Sequence, residues 1–203
     1  FMEHDENVAM QEGLVKHVIA YALEHYAPEL ATLERDTTKL QTIVDKPFTR
    51  LTYAETITEL NRLGSDIKFG EDLGNDDEAI LTKESDVPVF IEKWPKDIKP
   101  FYMKIDPTDP ARVLNNDLIA TEGGGEIFGG SQREDSYELL KQRIETHNLP
   151  LEEFEWYLDL RKYGSVPHSG FGMGLERMTR WISGVEHVRE CIPFPRVVNR
   201  LRP

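Results

Sequence analysis

The pattern of this chain predicts an α+β fold, an antiparallel sheet flanked by helices. Two observations carry that reading. Short runs rich in β-branched and aromatic residues lie between positions 87 and 128, parted by Pro, Asp and Gly, while stretches of helical period stand before and after them.

Taken in order, residues 7 to about 27 place Val8, Leu14, Val15, Val18, Ile19 and Leu23 at helical spacing. The acidic pair Asp5 and Glu6 just ahead suits the positive end of a helix dipole. A second helix is predicted over Tyr53 to Leu63, with Thr52 as cap and Ala54, Ile57 and Leu60 as its apolar stripe. Strands are predicted at Val87 to Ile91, Phe101 to Ile105, Val113 to Ile119 and Glu126 to Phe128, as antiparallel neighbours joined by hairpin turns. A helix over Ser136 to Thr146 leads through Asn148, Leu149 and Pro150 into another near Leu151 to Asp159. From Gly170 to Gly174 glycine alternates with Phe171 and Met173, so a strand here has one face without side chains, against which a flat ring or a phosphate can lie. The period then changes: Leu175, Met178, Ile182 and Val185 form the buried stripe of a last helix, and Arg177 falls on its first turn beside the glycine face.

At 203 residues, with 39% apolar content and no repeat or linker, the chain reads as one folding unit with a substantial core. Its single cysteine, Cys191, excludes an intramolecular disulfide and any multi-cysteine metal site. Neither a secretory core nor an apolar run of about 18 residues is present, so no membrane partner is expected and the cytoplasm is the expected compartment. The net charge is −13, which evenly spread would repel a phosphate backbone. It is not evenly spread: residues 161–203 carry +5 and the remainder −18. That local excess suits the phosphates of a small molecule better than a duplex. Six scattered histidines lack metal-ligand spacing; His168 reads as structural or near phosphate, and Cys191 as a small buried residue.

Arg177 has a rigid, permanently charged plane suited to stacking on a purine or pairing with phosphate. The plainer alternative is a surface pair with Glu176 or Glu186. The run Gly174-Leu175-Glu176-Arg177 after a glycine-spaced strand resembles motif 3 of the class II aminoacyl-tRNA synthetases. Three further blocks agree in order: Asp159 to Gly170, which resembles the segment ahead of motif 3 in asparaginyl enzymes; Glu126 to Glu134, EIFGGSQRE; and Pro95 to Met103, PKDIKPFYM.

The resemblance implies the C-terminal portion of a class II catalytic domain, with ATP and Mg²⁺ as cofactors. Arg177 is the implied clamp on adenine, with Gly172, Gly174, Leu175 and Glu176 lining the ATP site beside it. Glu126 is the implied Mg²⁺ ligand and, with Arg177, a catalytic residue; its plainer alternative is an ion pair with a neighbouring Arg or Lys. Arg133 is implied to hold the side chain of the amino acid, with Gln132, Tyr102 and Gly129 around it and Glu134 nearby. Gln132, one residue from Arg133 on a strand, points to the opposite face and is the weaker candidate. Gly129 stands where aspartyl enzymes tend to carry serine, which favours asparagine over aspartate.

The opening FMEHDENVAMQEGLVKHV resembles the family's segment just after motif 2. Residues 1–203 are therefore expected to be part of a catalytic domain, with motifs 1 and 2 and the anticodon-binding domain outside this chain. Three functions remain open: an asparagine–tRNA ligase acting on tRNA as a homodimer; a paralogue making asparagine from aspartate, ATP and ammonia; and a non-catalytic module binding a nucleotide or a protein.

Overall fold

The computed structural model describes residues 1–202. Helix α1 (His4–His25) starts three residues ahead of the predicted position because Glu3 anchors its end, its N–H bonded to Glu6 Oε2 at 2.9 Å. Two helices without a prediction follow, α2 (Ala27–Thr32) and α3 (Thr37–Asp45), the latter capped by Asp36, which accepts the Thr38 N–H. A four-residue strand β1 (Thr49–Thr52) runs straight into α4 (Tyr53–Arg62), where Thr52 is the cap that the sequence implied and Glu55 completes a reciprocal capping box with it. After α5 (Asn75–Thr82) come β2 (Val89–Glu92), β3 (Asn115–Ala120) and β4 (Gly125–Gln132). Then α6 (Tyr137–Thr146), capped by Ser136, and α7 (Leu151–Lys162) lead to β5 (Ser169–Met173) and α8 (Leu175–Ser183).

The five strands lie side by side in chain order. Three of the four pairings are antiparallel as expected; β1 and β2 are parallel, because α4 and α5 carry the chain back across the sheet between them. On one face α1 and α3 cover Phe90, Leu118 and Phe128. On the other, α4 and α5 cover Val89, Ile91 and Ile119. No described helix is long and apolar enough to cross a membrane.

Three expectations fail. β2 and β3 pair but are not joined by a hairpin turn, because residues 93–114 stand between them. Residues 101–105 are not a strand: they form only the isolated bridges Met103 to Arg133 and Ile105 to Val113, with the Lys104 N–H donating to the Gln132 carbonyl at the end of β4. The segment is drawn instead onto α6 and α7, where Phe101 packs edge-on against Phe154 and Tyr157 and the Arg143 guanidinium donates to the carbonyls of Lys96, Lys99, Pro100 and Phe101. In α8 the buried stripe is Met178, Trp181 and Ile182; Leu175 is 63% exposed because it starts the helix at the open rim of the sheet. Val185 lies beyond Gly184, which ends the helix at φ 75°.

Candidate functional site

Strand pairing decides which side chains meet. Directly paired residues share a face, so Asp117, Gly129 and Gly172 form one row across β3, β4 and β5, and Asn115, Ser131 and Gly170 form the next. The intervening row places Gly130 and Phe171 on the α1 face, where the Phe171 and Phe128 ring centroids are 5.2 Å apart. Glycines at 170 and 172 thus leave the site face of β5 bare, as the alternation implied, and Gly129 continues the gap onto β4 between Glu126 and Ser131. A side chain at Gly172 would meet nothing within 4 Å.

Counting alternate residues back from Gly129, Glu126 belongs on the wrong face. A bulge corrects this: Leu118 pairs with Phe128 but Ile119 with Glu126, so Ile127 is the extra residue and Glu126 joins the row-face of Asp117 and Gly129. A methyl group built on Gly129 would come within 3.1 Å of Glu126 Oε1 and 3.7 Å of Asp117 Oδ1, so the two carboxylates converge over this glycine. Burial and the neighbouring Asp117 push the Glu126 carboxyl up to about 7. Asp117 is raised as well, chiefly by its own burial, against the pull of Lys99, whose Nζ bonds Oδ2 at 2.7 Å. The Lys99 ammonium also lies 3.7 Å from the centroid of the Trp94 ring. Glu126 is therefore not the half of an ion pair that its plainer reading required; that partner goes to Asp117. Two converging hard-oxygen donors, one of them raised by burial and by its acidic neighbour, fit Mg²⁺, which takes few protein ligands.

Arg177 pairs with neither Glu176 nor Glu186. Its Nη1 donates to the Glu126 carbonyl at 2.7 Å, which lays the side chain along the rim between α8 and β4. Beside it runs a cleft of about 350 Å³ lined by Glu78, Arg180, His187 and the Gly123–Gly125 turn. Gly174 caps α8, and a Cβ there would press on the Arg177 stem at 3.4 Å. Leu175 and Glu176 are exposed on the first turn of the helix.

At the other end of the face Arg133 lies over Gly170, with Nη2 3.4 Å from where a Cβ would stand, and donates through Nη1 to Ser131 Oγ. Its guanidinium sits 4.8 Å from the Tyr102 ring centroid, and both line a pocket of about 320 Å³ with Phe101, Phe154, Trp156 and Tyr157. Gln132 is not part of this group: its Oε1 accepts the His4 N–H at 3.1 Å on the α1 face, as strand parity requires. Glu134 is buried and spends its carboxylate on the N–H groups of Ile105 and Ser136 and on Lys104. His168 is structural, with Nδ1 against the Val166 carbonyl at 2.8 Å and its own carbonyl accepting the Arg133 N–H. Cys191 is half-buried, its thiol pushed up by burial, and outside the group.

The sequence reading thus brought Arg177, Glu126, Gly129 and Arg133 to one face and missed Asp117, Lys99 and Glu78. Two other features are not sites of this kind. A cleft of about 600 Å³ between α3 and α5 is lined by Lys39 and Glu122, which already pair at 2.8 Å. His4, Asp5 and Glu92 are the one group of three or more potential metal ligands that converges among the described residues, and Arg50 already bonds both acids at 2.5 Å.

A family model described as tRNA synthetases class II (D, K and N) matches residues 1–198. The chain belongs to this family. It is 52% identical over 203 residues to the asparagine–tRNA ligase of Pelotomaculum thermopropionicum, covering all of this chain and 47% of that protein. Against an asparagine–tRNA ligase of Thermus thermophilus it is 50% identical over 209 residues, covering all of this chain and 48% of the relative. A crystal structure of the asparaginyl-tRNA synthetase of Pyrococcus horikoshii complexed with asparaginyl-adenylate superposes with a TM-score of 0.96 at 45% identity, covering all of this chain and 46% of that one. The five-stranded, mostly antiparallel sheet with its helices is thus the class II synthetase catalytic fold. The chain spans about half the length of the curated relatives it matches.

Proposed function

We propose that this chain is the C-terminal part of the catalytic domain of an asparagine–tRNA ligase, which activates asparagine with ATP and passes it from the adenylate to tRNA. The observation that carries this reading is the convergence of Arg177, Glu126 with Asp117, and Arg133 along the glycine-lined face of β4 and β5. Relatives named as asparagine–tRNA ligases at 50–52% identity supply the amino acid.

In this reading Arg177 offers its plane to adenine at the rim, and Gly172 and Gly174 keep the backbone close to the nucleotide, with Leu175 and Glu176 at the edge. Glu126 and Asp117 would hold Mg²⁺, which would supply positive charge against the phosphates. Arg133, steadied by Ser131 and Tyr102, donates to the side-chain oxygen of asparagine, and Gly129 leaves room for it. No nucleophilic side chain is required: the carboxylate of the amino acid attacks the α-phosphorus, so the protein contributes position and charge. The remaining half of the relatives' length is the proposed home of the other catalytic motifs, the anticodon-binding domain and the homodimer contact, in a cytoplasmic protein.

Amino-acid-dependent exchange of pyrophosphate into ATP by the intact protein tests the assignment. Exchange with asparagine alone is the expected result. Exchange with aspartate alone would move the assignment to the asparagine-making paralogue or an aspartyl enzyme, and none with either amino acid would leave a binding module.

A further inference from the structure

Glu126 follows three glycines, and the last of them, Gly125, has φ 72°. Gly125 and Glu126 still pair with Ala120 and Ile119, but the bulge interrupts the ladder just after them and loosens its hold on this stretch. Its carboxylate must nevertheless point at Asp117 across Gly129. Two side chains from distant elements grip its backbone. Glu78, on the first turns of α5, accepts the Glu126 N–H at Oε2, 3.1 Å, and Arg177, on the first turn of α8, donates to the Glu126 carbonyl at 2.7 Å. The Glu78 carboxylate lies so close over Gly125 that a Cβ there would stand 3.2 Å from Oε2. The usual account of an acid in the first turns of a helix, that it offsets the helix dipole, gives no reason for Glu78 to reach across to β4.

We propose that Glu78 is a positioning residue that fixes the Glu126 carboxylate by holding its peptide N–H while Arg177 holds the carbonyl. This rests on the reading of Glu126 as a metal ligand. It makes one residue's backbone the link between the adenine clamp and the metal site: α5 and α8 grip its two ends, and the side chain between them is oriented.

Two substitutions separate reach from charge. Glu78→Gln keeps an oxygen at the same reach and loses the charge; Glu78→Asp keeps the charge and loses the reach. Dissociation constants for ATP are measured on the intact protein with and without Mg²⁺, together with melting temperature. Glu78→Asp is expected to lose about tenfold of the Mg²⁺-dependent gain in ATP affinity, the usual scale for a residue that orients a metal ligand, with the Mg²⁺-free affinity level and a single cooperative melting transition retained. Glu78→Gln is expected to retain that gain. The reverse order, with Gln defective and Asp intact, would show Glu78 acting as a charge and overturn the proposal, as would two unchanged variants or losses equal with and without metal. A wild-type protein that binds ATP but gains nothing from Mg²⁺ would overturn the metal reading of Glu126 itself and this proposal with it.

Discussion

Replacing Glu126 by glutamine should make the metal-free protein more stable at neutral pH and leave it little changed in acid. The carboxyl sits at about 7 in the fold against an ordinary value of 4.5, through burial first and Asp117 second. Between those values the folded chain still holds a proton that the unfolded chain has released, so stability falls as pH rises across that window. At about 1.4 kcal/mol per pH unit the full interval is worth roughly 3 kcal/mol, and partial exposure trims it to about 2. Glu92 works in the opposite sense: Arg50 and His4 hold it at about 2 against the penalty of burial, so its contribution is lost only as pH falls below 4.5 and stays outside this window. Denaturant unfolding of wild type and Glu126→Gln at about pH 5 and about pH 8, without divalent metal, gives the comparison. Wild type should lose about 2 kcal/mol more than the variant on going to the higher pH, and saturating Mg²⁺, which binds the ionised form, should abolish the excess. Parallel pH dependence in the two proteins would refute the assignment of Glu126 as a carboxyl raised by burial and by Asp117.

Arg177→Ala should weaken ATP binding by about tenfold, the order of a cation–π contact on a purine, with asparagine binding unaffected; equal ATP affinity in both proteins would sink the adenine role. Arg133→Ala should raise the KM for asparagine roughly thirtyfold, for loss of about 2 kcal/mol of charged hydrogen bonding, while ATP binding stays level in equilibrium titration. Gly130→Ala tests the face away from the site: its Cβ would lie 2.7 Å from Gln11 Nε2 and 3.0 Å from Asn116 Oδ1, inside a buried amide pair. Thermal unfolding should show a loss of about 1–3 kcal/mol, and an unperturbed melting curve would mean that this layer is looser than its contacts imply.

Local chemistry made part of this molecule legible in advance. The Thr52–Glu55 box started α4 where it was placed, and the glycines at 170 and 172 gave β5 its bare face. Gln132 also turned to the α1 face, as its parity with Arg133 demanded. What stayed hidden was non-local. β1 is four residues with two exposed positions, too short to show alternation, and α5 is an acidic octapeptide with a glycine cap. Asp117, Lys99 and Glu78 carry no signature of their own; a bulge, an ion pair and a reach from another element bring them to Glu126. The one hint was positional, Asp117 beside the apolar run Leu118, Ile119 and Ala120, where a buried charge needs a partner. The segment 101–105 misled for the opposite reason: its strand-like composition serves aromatic packing on α7.

A crystal structure of the intact protein with Mg²⁺ and a non-hydrolysable asparaginyl-adenylate analogue tests whether this face binds an activated asparagine. The expected complex has adenine stacked on Arg177, the metal on Glu126 and Asp117, and the side-chain amide oxygen on Arg133 beside Gly129. An analogue bound elsewhere, or bound here with its amide turned away from Arg133, would contradict it.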